Sequence, residues 1–227
     1  MNKISIVMPV LDEADNIDAA LEALQPLRAR GHEVIVVDGG SADATVRLAA
    51  RGADRVIAAS RGRAHQMNAG AYTASGEILL FLHADTRLPE AADLLLTQAL
   101  QQSGRCWGRF DVRIGSRHPL LRMVSRMMNL RSRVSGICTG DQAIFVTAEA
   151  FARSGGYPPM ALMEDVVLSS RLRRWSRPAA LRASVMTSAR RWERNGVLRT
   201  IVLMWWLRMR FFLGASPARL AQLYDQG

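Results

Sequence analysis

Residues 76–89 read GEILLFLHADTRLP, and the change from apolar to polar side chains within this stretch decides the fold of the first half. Residues 77–82 form a short apolar run after a glycine, long enough for a buried strand and too short for a core helix. His83 and Asp85 follow this run at once. A carboxylate at that point lies at the C-terminal edge of a strand, where open α/β sheets bind their ligands. We therefore expect a binding site at this edge.

Two interpretations of this polar segment are open. If residues 83 and 85 are still extended, their side chains point to the same side and share one ligand. An imidazole and a carboxylate in a hydrated site suit Mg²⁺ or Mn²⁺. In the other interpretation, Asp85 or Thr86 caps a helix that Pro89 opens. This stretch alone does not decide between a metal site and a helix cap.

The rest of the first half alternates strands with helices. Strands are predicted at residues 3–10, broken at Pro9, and at 33–37, 55–59 and 77–82. Helices are predicted between residues 12 and 31, over 43–51 with Ser41 as the N-cap, and over 64–74. The order β-α-β-α-β-α-β with short connections predicts an α/β fold with a mostly parallel central sheet.

The pattern changes in the second half. A helix is predicted over residues 91–101, and the alternation over 108–114 predicts a half-buried, antiparallel strand. A basic helix over 118–133, a strand over 143–146, a loop at 155–159 and a helix over 164–175 follow. Helices thus flank a central sheet with a small antiparallel addition. No linker or repeat divides the chain, so we expect a single domain over residues 1–227.

Residues 196–213 form a strongly apolar helix that Arg199, Arg208 and Arg210 interrupt. A spanning helix needs about 20 apolar residues, so this one is not predicted to cross a membrane. Three interpretations remain: a terminal helix buried against the sheet, a helix in a membrane interface, where Trp and Arg are both common, or an oligomer contact.

Charge is divided unevenly along the chain. Residues 1–104 contain 9 Lys and Arg against 13 Asp and Glu, whereas residues 105–227 contain 21 against 7. The basic half indicates an anionic partner, and it has no nucleic-acid-binding motif, so a membrane surface or a phosphate-bearing substrate is expected instead of nucleic acid. Cys106 and Cys138 fit neither a zinc site nor a disulfide framework. This use of cysteine favours a reducing, cytoplasmic location.

Acidic residues recur at strand ends and helix starts, at positions Asp12/Glu13, Asp38, Asp85 and Glu164/Asp165. Any one of them alone is more often a cap than a catalyst. Three of the four sites follow predicted parallel strands, which places them along one edge of the sheet. Gathered carboxylates repel each other unless a cation compensates, so the cluster favours a metal-dependent site.

The same stretches, in the same order and spacing, resemble glycosyltransferase family 2. They are ISIVMPVLDE (4–13), VVDGGSADAT (36–45), RGRAHQMNAG (61–70), GEILLFLHAD (76–85), GDQAIF (140–145) and the Glu164-Asp165 pair. The resemblance covers residues 4–192. It implies a GT-A fold and an inverting transfer of one sugar from a nucleotide diphosphate. It also implies a division into a nucleotide-sugar-binding half (1–104), an acceptor half (105–195) and an apolar, basic terminal segment (196–227).

The resemblance also implies residue roles on the donor side. Pro9 and Glu13 match the motif that holds the nucleoside, and Asp38 matches the acid that binds the uracil ring or its equivalent. Ala84 is expected at the donor sugar-nucleotide. Arg61 and Arg63, in the loop before a predicted helix, either contact the phosphates, as we expect for Arg63, or are solvated loop arginines.

Further roles concern the reaction itself. Asp85 matches the last acid of the D-x-D motif, whose metal, Mg²⁺ or Mn²⁺, bridges both phosphates. Asp165 matches the general base. Arg191 and Trp192 resemble the end of the Q-x-x-R-W signature near the leaving diphosphate. A cation and a guanidinium neutralise that leaving group, and a carboxylate takes the proton of the acceptor hydroxyl.

Two departures from the family pattern matter. His83 stands where the motif usually has Asp, which leaves the metal mainly to Asp85. Ser188 stands where the Q-x-x-R-W signature has Gln, which favours a single-transfer enzyme over a processive synthase. The rivals are a nucleotidyltransferase on the same kind of sheet and a non-catalytic module that binds a membrane or a partner.

The expected partners are a UDP- or GDP-type sugar donor and a hydroxyl acceptor. A lipid or another anionic acceptor is a hypothesis that rests on the basic second half, as does contact with the inner face of the membrane. The sequence leaves the oligomeric state open.

Overall fold

The computed structural model describes residues 2–226, in which eight strands form one sheet of order β3-β2-β1-β4-β7-β6-β8-β5. The strands are β1 (Ile4–Val10), β2 (Glu33–Asp38), β3 (Arg55–Ala58), β4 (Ile78–Phe81), β5 (Thr86–Arg87), β6 (Trp107–Ile114), β7 (Phe145–Thr147) and β8 (Ala179–Thr187). The helices are α1 (Ala14–Ala29), α2 (Thr45–Gly52), α3 (Arg63–Thr73), α4 (Ala92–Ser103), α5 (Pro119–Ser135), α6 (Ala148–Arg153), α7 (Glu164–Leu172), α8 (Arg190–Asn195), α9 (Val197–Phe212) and α10 (Pro217–Gln226). A short 3-10 helix spans Gly140–Gln142.

Strands β1 to β4 are parallel, as expected for strands joined by crossover helices. Strand β7 then pairs antiparallel with both β4 and β6. Strand β8 runs parallel to β6, and the two-residue β5 pairs antiparallel with β8 at the edge. The α/β architecture with a mostly parallel sheet and a small antiparallel addition is therefore confirmed.

Apolar layers cover both faces of the sheet. Alternate side chains of β1, including Ile4 and Ile6, face a cluster formed with α1, α2 and α4. Val7 points to the other face, where α3, α6 and α7 complete a second cluster. Burial on both faces explains why the first-half strands read as continuous apolar runs.

The prediction of a half-buried, antiparallel strand at residues 108–114 is confirmed for the pairing with β7, whereas the pairing with β8 and the burial of Arg109 differ from it. Strand β6 is antiparallel to β7 but parallel to β8. Arg109, expected on the solvent side, is fully buried. Its guanidinium donates to the backbone oxygens of Phe110 (3.1 Å) and Asn129 (3.3 Å) and pairs with Asp111. A paired, hydrogen-bonded arginine can be buried where the polarity pattern alone predicts solvent.

The helix caps also differ from expectation. Ser41 does not cap α2, which begins at Thr45 without a side-chain cap. Neither Asp85 nor Thr86 caps α4, because that helix begins at Ala92 after Ala91 in the left-handed region (φ 51°). The helix-cap interpretation of the polar segment is therefore wrong, and those residues remain free for another role.

Helix α9 is not buried against the sheet. Only Thr200 and Leu207 of this helix are buried, whereas large apolar side chains, among them Trp205 (63% exposed) and Phe212 (72% exposed), face outward. The buried-helix interpretation is therefore wrong. Among residues 2–226, no helix combines the length and the apolar content that crossing a membrane requires.

Candidate functional site

The ends of β1 and β2 form the first wall of the site. Gln66, buried on α3, donates from its amide to the backbone oxygens of Val10 (2.7 Å) and Val37 (2.8 Å). The backbone N–H of Gly39 donates to Val10 as well (3.0 Å). A Cβ at Gly39 would lie 3.0 Å from the Gln66 side chain, so a small residue is needed there. Gln66 thus fixes the spacing of two strand ends, a role that we did not predict.

Asp38 lies at the end of β2 and is buried. Its carboxylate accepts hydrogen bonds from the backbone N–H groups of Gly40 (3.0 Å) and Ser41 (3.1 Å) and from the Ser41 hydroxyl (2.5 Å). Ser41 therefore orients Asp38 instead of capping α2. The predicted contact of Asp38 with a nucleobase stays a prediction.

The loop after β1 is joined to the loop after β2. Asp12, in the left-handed region (φ 51°), accepts from the Ala42 N–H (2.8 Å), and its own N–H donates to Ser41 Oγ (2.9 Å). The N–H of Glu13 donates to Thr45 Oγ1 (2.8 Å). Asp tolerates the left-handed region better than most residues, so Asp12 meets both requirements of the position. The two loops therefore form one rigid unit.

Pro9 lies within β1, which continues to Val10 and is not broken there as predicted. Pro9 pairs with Val37 of β2, whereas the pairing of β1 with β4 ends at Val7. The missing N–H of the proline is tolerated because one side of the strand is already unpaired at this point.

Glu13 connects this unit to the second half of the chain. Its carboxylate accepts from Asn16 and lies 3.5 Å from the guanidinium of Arg190 at the start of α8. Arg190 in turn lines a 370 Å³ cavity together with Asp85, Arg87 and Thr187. The structure thus places Glu13 and Asp85 on either side of Arg190, near one cavity.

Asp85 is not in extended backbone, because it lies in a turn closed by the hydrogen bond from Thr86 N–H to the His83 oxygen (3.0 Å). The condition for His83 and Asp85 to share one ligand, extended backbone at both residues, is therefore not met. Asp85 faces the cavity, whereas His83 Nδ1 lies 3.7 Å from a carboxylate oxygen of Asp141. Within residues 2–226, no group of three or more His, Cys, Asp or Glu side chains could hold a metal ion.

Asp165 follows Glu164 at the start of α7. Its carboxylate accepts from the backbone N–H groups of Gly140 and Val166, each at 2.7 Å. A methyl group on Gly140 would lie 2.9 Å from His83 Nε2 and 3.9 Å from an Asp165 oxygen. His83 and Asp165, which are far apart in the sequence, therefore face each other across Gly140. We did not predict Asp141, although it lies in the quoted stretch 140–145.

Glu164 is buried beside Asp165. Burial raises the pKa of Glu164 to about 7, and the charge of Asp165 acts in the same direction. A buried acid with a raised pKa is common where proton transfer occurs.

Arg63 opens α3 after Gly62, whose φ is 129°. Arg63 is exposed. Desolvation lowers its pKa, but the charges of Tyr224, Glu164, Asp141 and Asp165 outweigh that effect, so the pKa of Arg63 is raised overall. Arg63 is therefore within electrostatic range of Asp165. Ala84, in contrast, packs its side chain into the core, so only its backbone can reach a ligand.

Arg191 and Trp192 lie on α8. The Arg191 guanidinium stacks 3.4 Å from the centre of the Tyr224 ring and donates to the Tyr224 backbone oxygen (2.5 Å). Trp192 packs on a small cluster that contains Leu121, Val124 and Ala189. Arg191 is therefore held by α10, and its predicted contact with a diphosphate stays a prediction.

The candidate site residues fall into two sets. One set lies at the 370 Å³ cavity, and the other set surrounds Gly140. The first set contains Glu13, Asp85 and Arg190, and the second contains Arg63, His83, Asp141, Glu164 and Asp165.

A sequence model described as glycosyl transferase family 2 matches residues 5–150. No curated protein matches the chain. Solved structures with a similar fold include Staphylococcus aureus TarS in complex with UDP-GlcNAc, with a TM-score of 0.68 and 17% identity, covering 82% of this chain and 58% of that one. That structure contains TarS residues 1–349, so this chain spans little more than half of it; it covers 36% of the longer TarS chain that was also solved.

Two other structures extend the comparison. The mannosyltransferase PcManGT from Pyrobaculum calidifontis, in complex with GDP-Man and Mn²⁺, has a TM-score of 0.62 and 21% identity over 82% of this chain and 56% of that one. Glucosyl-3-phosphoglycerate synthase from Mycobacterium tuberculosis, with Mn²⁺, UDP and phosphoglyceric acid, has a TM-score of 0.60 and 21% identity over 82% and 69%. These likenesses confirm the expected GT-A fold.

Proposed function

Because the chain belongs to glycosyltransferase family 2, we propose that it transfers one sugar from a UDP- or GDP-type donor to a hydroxyl acceptor. The observation that carries this proposal is the position of Asp165, which binds the Gly140 N–H and lies across that glycine from His83. TarS with UDP-GlcNAc and PcManGT with GDP-Man support a nucleotide-sugar donor. Family membership favours this function over a nucleotidyltransferase or a non-catalytic module.

The donor nucleoside binds where the β1 and β2 loops are joined. Asp38 accepts from the base, and Pro9 and Glu13 hold the nucleoside from the side of β1. The hydrogen bonds that fix Asp38 and Asp12 support this assignment, because a loop that is already ordered loses less conformational entropy when the ligand binds. The side chains of Arg63 and Arg191 and the backbone at Ala84 contact the rest of the donor.

A divalent cation is held mainly by Asp85. Within the described residues, the carboxylate of Asp85 accepts only a long hydrogen bond from Thr86 Oγ1 (3.3 Å), so its oxygens are available to Mg²⁺ or Mn²⁺. The phosphate oxygens of the donor would complete the coordination, and His83, which faces Asp141 instead, stays a predicted ligand. When bound, such an ion neutralises the leaving diphosphate. PcManGT with Mn²⁺ supports a divalent cation.

Asp165 acts as the base in a single displacement. The acceptor oxygen attacks the anomeric carbon, its proton passes to the Asp165 carboxylate, and the bond from that carbon to the diphosphate oxygen breaks. One displacement inverts the configuration at the anomeric carbon. The two backbone N–H groups that bind Asp165 keep its carboxylate in place for this transfer.

The acceptor side faces an anionic membrane. Five exposed apolar residues of α9 recur at intervals of four and three, namely Leu198, Val202, Trp205, Met209 and Phe212. Residues 196–224 contain four arginines and no acidic residue. A second copy of this face would bring like charges together, whereas an anionic bilayer complements both the charge and the apolar stripe.

The test of the proposed activity is release of UDP or GDP from a panel of UDP-glucose, UDP-GlcNAc and GDP-mannose, with and without Mn²⁺. We expect slow, metal-dependent hydrolysis of one of these donors without an acceptor, and loss of this hydrolysis in Asp85→Ala. The absence of binding and hydrolysis for every donor would contradict the proposal.

A further inference from the structure

Arg131 of α5 and Arg208 of α9 lie on two helices that pack together through Val124 and Ile201. Burial lowers the pKa of both arginines, and the charges of Asp165 and Asp141 act against this effect. Among the described residues, however, no carboxylate hydrogen bonds to either guanidinium. The Nε and Nη2 atoms of Arg131 are buried and have no hydrogen-bond partner.

Such an arrangement is unfavourable in the free protein. Burial lowers the pKa of Arg131 to about 10, with the charge of Arg208 as the next cause, and burial also lowers the pKa of Arg208. Unpaired buried donors each cost free energy, and the cost is larger for a charged group. Residues that lower the stability of the folded protein in this way are common in ligand-binding sites.

The fold fixes both side chains through their neighbours in the chain. Leu207, adjacent to Arg208, is fully buried in a cluster with Met163 and Val166 at the start of α7. Ser132, adjacent to Arg131, is fully buried and donates to Cys138 Sγ (3.6 Å). The two arginines are therefore anchored beside the helix that presents Asp165.

We infer that Arg131 and Arg208 bind an oxyanion, a carboxylate or a phosphate, of the acceptor and so hold its hydroxyl group at Asp165. This inference rests on the proposed function, since it assigns the acceptor. The acceptor is favoured over the donor because both arginines are anchored beside the helix that presents Asp165, where the acceptor hydroxyl must lie for its proton to be removed. Paired guanidiniums match the geometry of such anions.

The experiment compares Arg131→Gln and Arg208→Gln with Arg126→Gln, an exposed arginine of the same helix α5. Thermal unfolding is measured with saturating UDP and Mn²⁺, which occupy the donor site, while inorganic phosphate is added. We expect phosphate at about ten times its dissociation constant to raise the Tm of the wild type and of Arg126→Gln by about 3 °C. Neither Arg131→Gln nor Arg208→Gln should respond, and Arg131→Gln should be no less stable than the wild type without anions.

A second comparison shows whether the anionic group of the acceptor is a phosphate or a carboxylate. Glycerol 3-phosphate carries the first group, D-glycerate carries the second, and glycerol carries neither. The compound with the matching group should raise the Tm of the wild type but not that of Arg131→Gln, and glycerol should raise the Tm of neither. An equal response from Arg131→Gln, Arg208→Gln and the wild type would overturn the inference.

The affinity for the donor nucleotide shows whether a negative result contradicts the anion subsite or the proposed transfer reaction. UDP affinity, measured by calorimetry with Mn²⁺, should change less than about twofold in Arg131→Gln. A tenfold loss would assign the pair to the donor diphosphate and overturn the acceptor subsite. If the wild type binds neither UDP nor GDP but keeps the Arg131-dependent shift, the anion subsite stands and the proposed transfer fails.

Discussion

The backbone N–H of Gly140 donates a 2.7 Å hydrogen bond to the carboxylate of Asp165. This bond ties the proposed base to the loop that carries Asp141, and His83 packs against the same glycine. Three polar residues from three separate parts of the chain are thereby held in one small volume.

Asp165→Asn should remove transfer while leaving the fold intact, because the amide oxygen can still accept from Gly140. Loss of a general base reduces the rate by about 10²–10⁴-fold. Nucleotide release in the presence of acceptor measures this effect, and UDP affinity should be unchanged. Glu22→Gln, an exposed acid on α1, is the control. Full activity of Asp165→Asn would show that another group is the base.

Asp85→Ala should abolish the contribution of Mn²⁺ to nucleotide binding, lowering UDP affinity by about tenfold or more in the presence of the ion. Without the ion, variant and wild type should bind alike. Calorimetry with and without Mn²⁺ measures both quantities, and the exposed Glu90→Gln serves as control. If Mn²⁺ strengthened UDP binding equally in both proteins, Asp85 would not be a ligand.

Gln66→Leu should lower both the stability of the protein and its affinity for the donor nucleotide. The substitution removes both hydrogen bonds to the ends of β1 and β2, at an expected cost of about 1–3 kcal/mol in the free energy of unfolding. Nucleotide affinity should fall as well, since the two loops follow those strand ends. Urea denaturation and calorimetry measure the two effects, with the exposed Gln98→Leu as control. Wild-type stability in Gln66→Leu would contradict this role.

Glu164→Gln should change the pH dependence of stability. The pKa of Glu164 is raised from 4.5 to about 7, so between these pH values the folded protein retains a proton that the unfolded chain has lost. The free energy of unfolding of the wild type therefore falls as pH rises through this range. The variant should be more stable at pH 8, by on the order of 1 kcal/mol, and nearly equal at pH 5. Parallel denaturation profiles from pH 5 to 8 would refute the assignment.

Trp205→Ser combined with Phe212→Ser should weaken binding to vesicles that contain anionic lipid by at least about tenfold at low salt. Sedimentation with such vesicles measures binding, and neutral vesicles should bind less. Tyr72→Ser alters an aromatic residue that is 92% exposed on α3, away from α9, and should have no effect. Equal binding by all three proteins, or none by the wild type, would count against a membrane face.

The first half of the fold could be predicted from the sequence because its strands are buried on both faces and punctuated by glycine and acidic residues. The second half could not, because its structure depends on tertiary pairing. Strand β8 is half-exposed, with Arg182 and Ser184 interrupting its apolar pattern. The two-residue β5 exists only because β8 lies beside it, and α6 and α8 are too short to show a period.

The resemblance singled out Asp165, whose role stays a prediction, but the sequence could not show the geometry that neighbouring residues decide. Asp85 lies in a turn after His83 that the identities of these two residues do not reveal. Gln66 bridges two strand ends from a helix, and nothing in its local sequence signals that contact. The arginine pair needed the relative position of α5 and α9, which only the packed fold supplies.

Helix α9 carries the exposed apolar stripe, Arg208 next to it and the buried Leu207 on the opposite side. Because a helix of this length moves as a unit, adsorption through the stripe would also set the position of that guanidinium. Such a protein would show interfacial activation, with turnover rising once it is seated on a surface.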